Sequence, residues 1–299
     1  MLVVLVVVIG LRQPLFFSER SQTTVVNQAI PILLLALGQM FVVLIGGIDL
    51  SNAAATSLLG VLLAEWLPHM GVLAIVLVIL CGVGIGLVNG VVCAYGQVPS
   101  FVATLGTLAL FQALALVISH GSAITVSNNY GAIGWLATGS IGGIAPGFLI
   151  GVVAVVVVGV AFRALRRGGV FHTVGLAEQA AIMCGISAKA VRVSAFALSG
   201  LFASLASLYL TASQFSAAPG LADSLLLPAI AATVVGGVAI TGGVGGPVGV
   251  LFGALIMSVL RIGSTIAGID PTYQDIIYGA AVIIAVGATI DRRKLSMIK

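Results

Sequence analysis

Apolar runs long enough to cross a bilayer follow one another along almost the whole chain, and very few architectures can be built from such a pattern. A spanning helix needs about 20 largely apolar residues. Candidates fall at Asn27–Ile48, Ser51–Leu67, Gly71–Ala94, Phe101–Ser119, Gly147–Leu165, Val193–Ala212, Leu225–Ile240, Val248–Ala267 and Tyr273–Ile290. A run of 11 at Met1–Leu11 is too short to span. It has neither a basic n-region nor a small-residue cleavage site, so it reads as the incomplete start of a first helix, not a signal peptide. With that fragment the count is roughly ten crossings. The chain cannot be a water-coated globule: only 7% of its 299 residues are charged, against about 25% in soluble domains, and its mean hydropathy is +1.27. The expected fold is all-α and polytopic, one transmembrane domain over residues 1–299 with its helices in a single bundle.

Orientation follows from the basic residues in short loops. If the Arg166–Arg192 loop is cytoplasmic, alternating crossings put Arg163, Arg166, Arg167, Lys189, Arg192, Arg292, Arg293, Lys294 and Lys299 inside. Only Arg12, Arg20 and Arg261 fall outside, a split of 9 to 3 among the 12 Lys and Arg. Glu19, Glu65, Asp223, Asp270 and Asp275 lean toward the outer face. A cytoplasmic C-terminus is expected. The basic residues form no patch with interleaved aromatics, so the net charge of +4 reflects topology and not nucleic-acid binding. On the outer side, His120–Pro146 is the longest non-spanning stretch, and its WLATGSIGGIAPG portion has the composition of a dip back into the membrane.

Within the spans, Gly82, Gly86 and Gly90 form one ridge spaced by four, and Gly245, Gly249 and Gly253 another. Such ridges let a second helix approach closely; ordinary packing within the bundle is the plainer reading, a sliding or subunit-pairing surface the functional one. Asp49, in GGIDLSNAA, ends a long apolar run. A buried carboxylate must find donors or water, so it reads equally as a cap on the next helix or as part of a substrate path. Cys81, Cys93 and Cys184 lie in or beside apolar stretches without CxxC spacing and read as small buried hydrophobes. The basic loop, from Val174 to Ala190, has the composition of a short glycine-bounded helix with an apolar strip of Ala177, Ala180, Ala181 and Ile182, and Glu178 and Gln179 on a polar face. A solvated linker would not need those apolar residues; a surface for a cytoplasmic partner explains them. No GxxxxGK[ST], HExxH or Ser-His-Asp pattern is present. The chain therefore has no Walker A loop, no catalytic residues and no metal site of its own, and an enzyme is disfavoured.

GGIDLS at 46–51, VNG…VPSFVATLGT at 88–107, VGLAEQAAIMCGIS at 174–187 and VVGGVAITGGVGGPVGVLFGALI at 234–256 occur together in one order. In these segments, and over essentially its whole length, the chain resembles the permease subunits of ribose-type ABC sugar importers, the carbohydrate-uptake type 2 group. The resemblance implies a bacterial inner-membrane subunit that pairs with a second permease copy or paralogue. It implies a periplasmic sugar-binding protein as donor and a separate cytoplasmic ATP-binding cassette subunit as motor, with ATP and magnesium on that partner and no cofactor on this chain. The 166–192 loop matches the family's coupling segment, with its glycines at Gly175 and Gly185; the residues expected to couple are Gly175, Ala177, Glu178, Ala180, Ala181, Gly185 and Ile186. Two positions depart from the family pattern: Asn52 stands for a small apolar residue, which bears on substrate choice, and Ala177 for an Asn, which removes one polar contact with the ATPase. Sugars need polar side chains and aromatic faces, which makes Gln39, Asp49, Asn52, Asn89, Phe101, Thr104, Thr107 and Gln112 candidates for the pathway. Each also reads as an interhelical hydrogen-bonding residue. The rival reading is an ion-coupled secondary transporter of a small polar solute, which should show intramembrane carboxylates or broken helices arranged as repeats.

Overall fold

A computed structural model describes residues 1–140, 144–164 and 169–289. The Ile141–Gly143 part of the expected re-entrant stretch, Arg166 and Arg167, and the basic residues Arg292, Arg293, Lys294 and Lys299 lie outside the described residues.

The axis of the bundle is α2 (Glu19–Leu44). From Ala29 to Leu44 every residue is buried, because the helix is apolar on all sides and can be satisfied only by other helices around its whole circumference. It is enclosed by α3 (Asn52–Met70), α7 (Pro146–Ala164), α10 (Ala188–Gln214), α11 (Leu226–Val235) and α12 (Pro247–Ile266). Outside these lie α1 (Leu2–Arg12), α4 (Val72–Tyr95), α5 (Ser100–Ile118) and α13 (Gln274–Thr289). Short elements complete the chain: α6 (Gly131–Thr138), α8 (Val170–Leu176), α9 (Glu178–Met183), and β1 (Ile124–Thr125) paired antiparallel with β2 (Ser216–Ala217). Among the described residues, six helices are long and apolar enough to cross a membrane: α2, α4, α5, α7, α10 and α12. The outer helices and the outward face of α7 present large apolar side chains outward, among them Leu80 and Leu87 on α4, Leu105 and Leu110 on α5, and Val153 and Val160 on α7. A surface of that kind is stable against lipid or another apolar protein face, not against water.

Glycine sets the closest contacts. Gly82, Gly86 and Gly90 of α4 lie on the backbone of α10: a Cβ at Gly82 would stand 2.6 Å from the Gly200 carbonyl oxygen, one at Gly90 2.7 Å from the Val193 Cα, and one at Gly86 would overlap the Phe196 carbonyl. Gly249 and Gly253 of α12 meet Gly236, which follows the end of α11, and Ala232 of α11 in the same way. Both ridges are thus spent on packing within the chain. Gly245 does not belong to the second ridge; it precedes α12, with φ +138°.

The expected span Leu225–Ile240 is not one. A 3-10 turn at Asp223–Leu225 leads into α11, whose ten residues end at Val235. At 1.5 Å per residue this segment is about 20 Å long, against a hydrocarbon core of about 30 Å. The reason is the glycine cluster that follows, where Gly237, Gly242, Gly243 and Gly245 all have positive φ and fold a loop where the apolar run suggested more helix. The 174–190 segment likewise forms two short helices, α8 and α9, divided at Ala177. Cys93 is buried as expected, but Cys184 is exposed, being at the end of α9.

Candidate translocation pathway and coupling surface

The α2 helix stops because Gly46, at φ +75°, turns the chain left-handed. The Gly46 N–H bonds to the Val43 carbonyl and the Gly47 N–H to the Val42 carbonyl, both at 2.9 Å. This paired arrangement closes a helix C-terminus on glycine. The freed Leu44 carbonyl accepts from the Gly243 N–H at 2.8 Å. Gly175 of α8 packs on the same carbonyl so closely that a Cβ would overlap it. Three distant backbone segments therefore meet at the end of α2, and Gly175 is required there by space.

Beyond the turn, the break from Ile45 to Ser51 is pinned by side chains from four helices. Asp49 is 3% exposed. Its Oδ1 accepts from the Ser51 N–H (3.0 Å) and Ser51 Oγ (2.7 Å), and its Oδ2 accepts from Ser199 Oγ of α10 (2.7 Å). Asn89 Nδ2 of α4 donates to Ser51 Oγ at 2.8 Å, and Asn52 Nδ2 to Ser199 Oγ at 3.0 Å. The Gln39 amide brackets the Asp49 peptide, its nitrogen donating to the carbonyl at 3.0 Å and its oxygen accepting from the N–H at 3.2 Å. From α5, Ser100 Oγ accepts from the Ile48 N–H and Thr104 Oγ1 from the Leu50 N–H, each at 3.0 Å. The carboxylate thus closes a turn on Ser51, the residue before α3, and also ties that turn to α10. Asn52 Oδ1 and Asn89 Oδ1 remain buried without partners among the described residues, each at a cost of about 1–3 kcal/mol.

Five of the eight expected pathway residues, Gln39, Asp49, Asn52, Asn89 and Thr104, therefore gather in one buried polar hub, with Ser51, Ser100 and Ser199. The other three lie along α5 outside it. Phe101 is exposed, Thr107 is half-buried with its hydroxyl donating to the Thr104 carbonyl, and Gln112 Nε2 donates to Asp223 Oδ2 at 2.9 Å. Ser199 gave no sequence signal, since its role depends on a partner 150 positions away.

Of the expected coupling residues, Ala177, Ala180 and Gly185 are exposed, while Ala181 is buried and Ile186 half-buried. Glu178 is ion-paired with Arg192 at 3.1 Å. The largest apolar exposure in this segment is on Met183 at 88% and Leu176 at 67%, which composition did not single out, and on Ile182 at 50%, which belongs to the expected apolar strip. A cavity of about 600 Å³ lies between α9 and the end of the hub, lined by Cys93, Gln97, Ser100, Glu178, Lys189 and Arg192 among others. Lys189 Nζ stands 5.1 Å over the Tyr95 ring beside it.

A family model described as the permease component of branched-chain amino acid transport systems matches residues 22–286. The ribose import permease of Bacillus subtilis is 35% identical over 98% of this chain and 91% of its own length. That of Escherichia coli is 31% identical over 98% and 92%. The galactose/methyl galactoside import permease of Escherichia coli is 32% identical over 95% and 90%. No solved structure matches the chain significantly. A bundle of apolar helices around a broken, polar-pinned centre, matched over nearly its whole length by import permeases, is a multi-pass membrane permease, and the chain belongs to the family of branched-chain amino acid transport system permease components.

Proposed function

We propose that this chain, paired with a second copy or a paralogue in the bacterial inner membrane, forms the pathway of a monosaccharide importer. A cytoplasmic ATP-binding cassette subunit docked on α8 and α9 drives it, and a periplasmic sugar-binding protein supplies it. The sugar class rests on the ribose and galactose permeases that it resembles along its length.

The observation that carries the coupling is mechanical. Leu176, Ile182 and Met183 offer an apolar surface on short helices whose other side rests, through Gly175, on the end of α2 and the Gly242–Gly243 turn. A push on α9 by closing ATPases is passed to the break that the Asp49 hub holds. Tilting α4, α5 and α10 about that break exchanges one packing for another, and nucleotide on the partner biases their balance. The unpaired amide oxygens of Asn52 and Asn89 fit a hub that exchanges partners between two packings. An ion-coupled mechanism is poorly served here, because Asp49 is sealed from solvent and its carboxylate already accepts three protein donors.

Met183→Glu puts a charge where an apolar partner should sit, and Gly185→Trp projects a ring into open space beside it, at the cost of a backbone φ of +78° that a Trp adopts only under strain. Each should lower co-purification of the ATPase about tenfold, as loss of an interface anchor does. Each should also abolish stimulation of hydrolysis by the sugar-loaded binding protein, with permease levels near wild type. Normal coupling in both variants would refute the docking assignment, and uptake without any ATPase would favour the ion-coupled transporter.

A further inference from the structure

A second polar cluster stands apart from the Asp49 hub. Gln112 Nε2 of α5 donates to Asp223 Oδ2 at 2.9 Å, and Ser57 Oγ of α3, whose single proton is shared with the Ala53 carbonyl at 3.2 Å, stands 3.4 Å from Asp223 Oδ1. Ser57 also accepts from the Ala222 N–H at 2.9 Å, which fixes the carboxylate's own turn to α3. Unlike Asp49, Asp223 is exposed.

Its depth makes that exposure informative. Gln112 is twelve residues into α5 and six short of its end at Ile118, about 18 Å and 9 Å along the helix axis. The half-length segment opened by Asp223 ends at Val235, and the glycine loop after it reaches the α2 terminus at Leu44. Two independent measures thus put Asp223 within the span of the helices. A carboxylate exposed at that depth cannot face lipid without a large penalty, so it faces water or another protein surface.

The chemistry of the cluster narrows what passes there. Each Asp223 oxygen has two acceptor positions; Gln112 fills one on Oδ2, and Ser57 faces one on Oδ1. The two that remain sit side by side, which suits a pair of neighbouring hydroxyl donors. Gln112 Oε1 adds a third acceptor. Apolar solutes gain nothing from this set, and anions are repelled by it. We propose that Asp223, oriented by Gln112 and Ser57, is a hydroxyl-binding station for a sugar in the half of the pathway away from α9; this rests on the sugar-importer reading above.

The test uses the complete importer in proteoliposomes, with labelled D-ribose, D-galactose and L-leucine as probes. Asp223→Asn keeps the shape but replaces one acceptor by a donor. It should lower sugar uptake at saturating loaded binding protein about tenfold, the scale of one charge-assisted hydrogen bond. Hydrolysis stimulated by the loaded binding protein should stay within about twofold, because docking and coupling lie elsewhere. In a chain whose three native cysteines are replaced, Asp223→Cys should react with a membrane-impermeant maleimide from the side opposite α9. Unchanged sugar uptake in Asp223→Asn, or a Cys at 223 closed to the reagent, overturns the station while leaving the importer reading in place. A wild-type complex that imports leucine and neither sugar overturns both.

Discussion

Ser199→Ala is the sharpest probe of the hub, because it deletes one oxygen from a helix face that is otherwise unchanged. Ser199 is fully buried, and its hydroxyl is the side-chain donor to Asp49 Oδ2 at 2.7 Å. It also accepts from Asn52 Nδ2 at 3.0 Å. Interhelical hydrogen bonds between neutral groups in membranes average about 0.6 kcal/mol. Bonds to a charged acceptor are roughly twice as strong, and a buried carboxylate stripped of a donor keeps its desolvation cost, so the expected loss is about 1.5–2.5 kcal/mol. Asp49→Asn replaces the carboxylate with an amide of the same shape. In that background Ser199→Ala should cost only the neutral-bond value, about 0.6 kcal/mol. The coupling between the two substitutions should then be about 1 kcal/mol or more, measured as a double-mutant cycle by equilibrium unfolding in detergent–dodecyl sulfate mixtures followed by circular dichroism. Additivity within about 0.5 kcal/mol would mean that Ser199 does not hold a charged Asp49, and the account of the break as a carboxylate-pinned hinge would fail.

Gly249→Leu drives a branched side chain into the Gly236 carbonyl just past α11; it should cost about 1–3 kcal/mol of stability, read as a lower unfolding midpoint in detergent, and an unchanged midpoint would show that the α11–α12 contact is open. The 9-to-3 split of basic residues predicts that a reporter active only in the cytoplasm is active when fused after Lys299. A silent reporter in a well-expressed fusion would invert the topology, and the docking and hydroxyl-binding faces would exchange sides.

By itself the sequence determined the solvent and the class of fold. With so few charges no arrangement of this chain can coat itself against water, and runs of about 20 apolar residues satisfy their own backbone only as helices. It also located the close contacts of α4, since glycines spaced by four share a helix face whatever surrounds them. It marked the end of an apolar run at Asp49, because a carboxylate followed by Ser51 and Asn52 does not continue an apolar helix. Tertiary structure decided what these local features serve. The run at Leu225–Ile240 has the composition of a span, but Gly237 within it and Gly242 and Gly243 just beyond it take positive φ, and the last two fold against Leu44, Gly175 and Leu176, contacts that no window of sequence contains. Asp49 and Asp223 are both carboxylates at helix starts in apolar surroundings. One is sealed by Ser199 from 150 residues away and the other, bonded to Gln112 from 111 residues away, is left open. Local sequence fixes where a polar group sits along its helix, whereas its burial and its partners depend on which other helices the fold brings to that face. A structural carboxylate and one placed to meet a solute are therefore distinguished only in the assembled bundle.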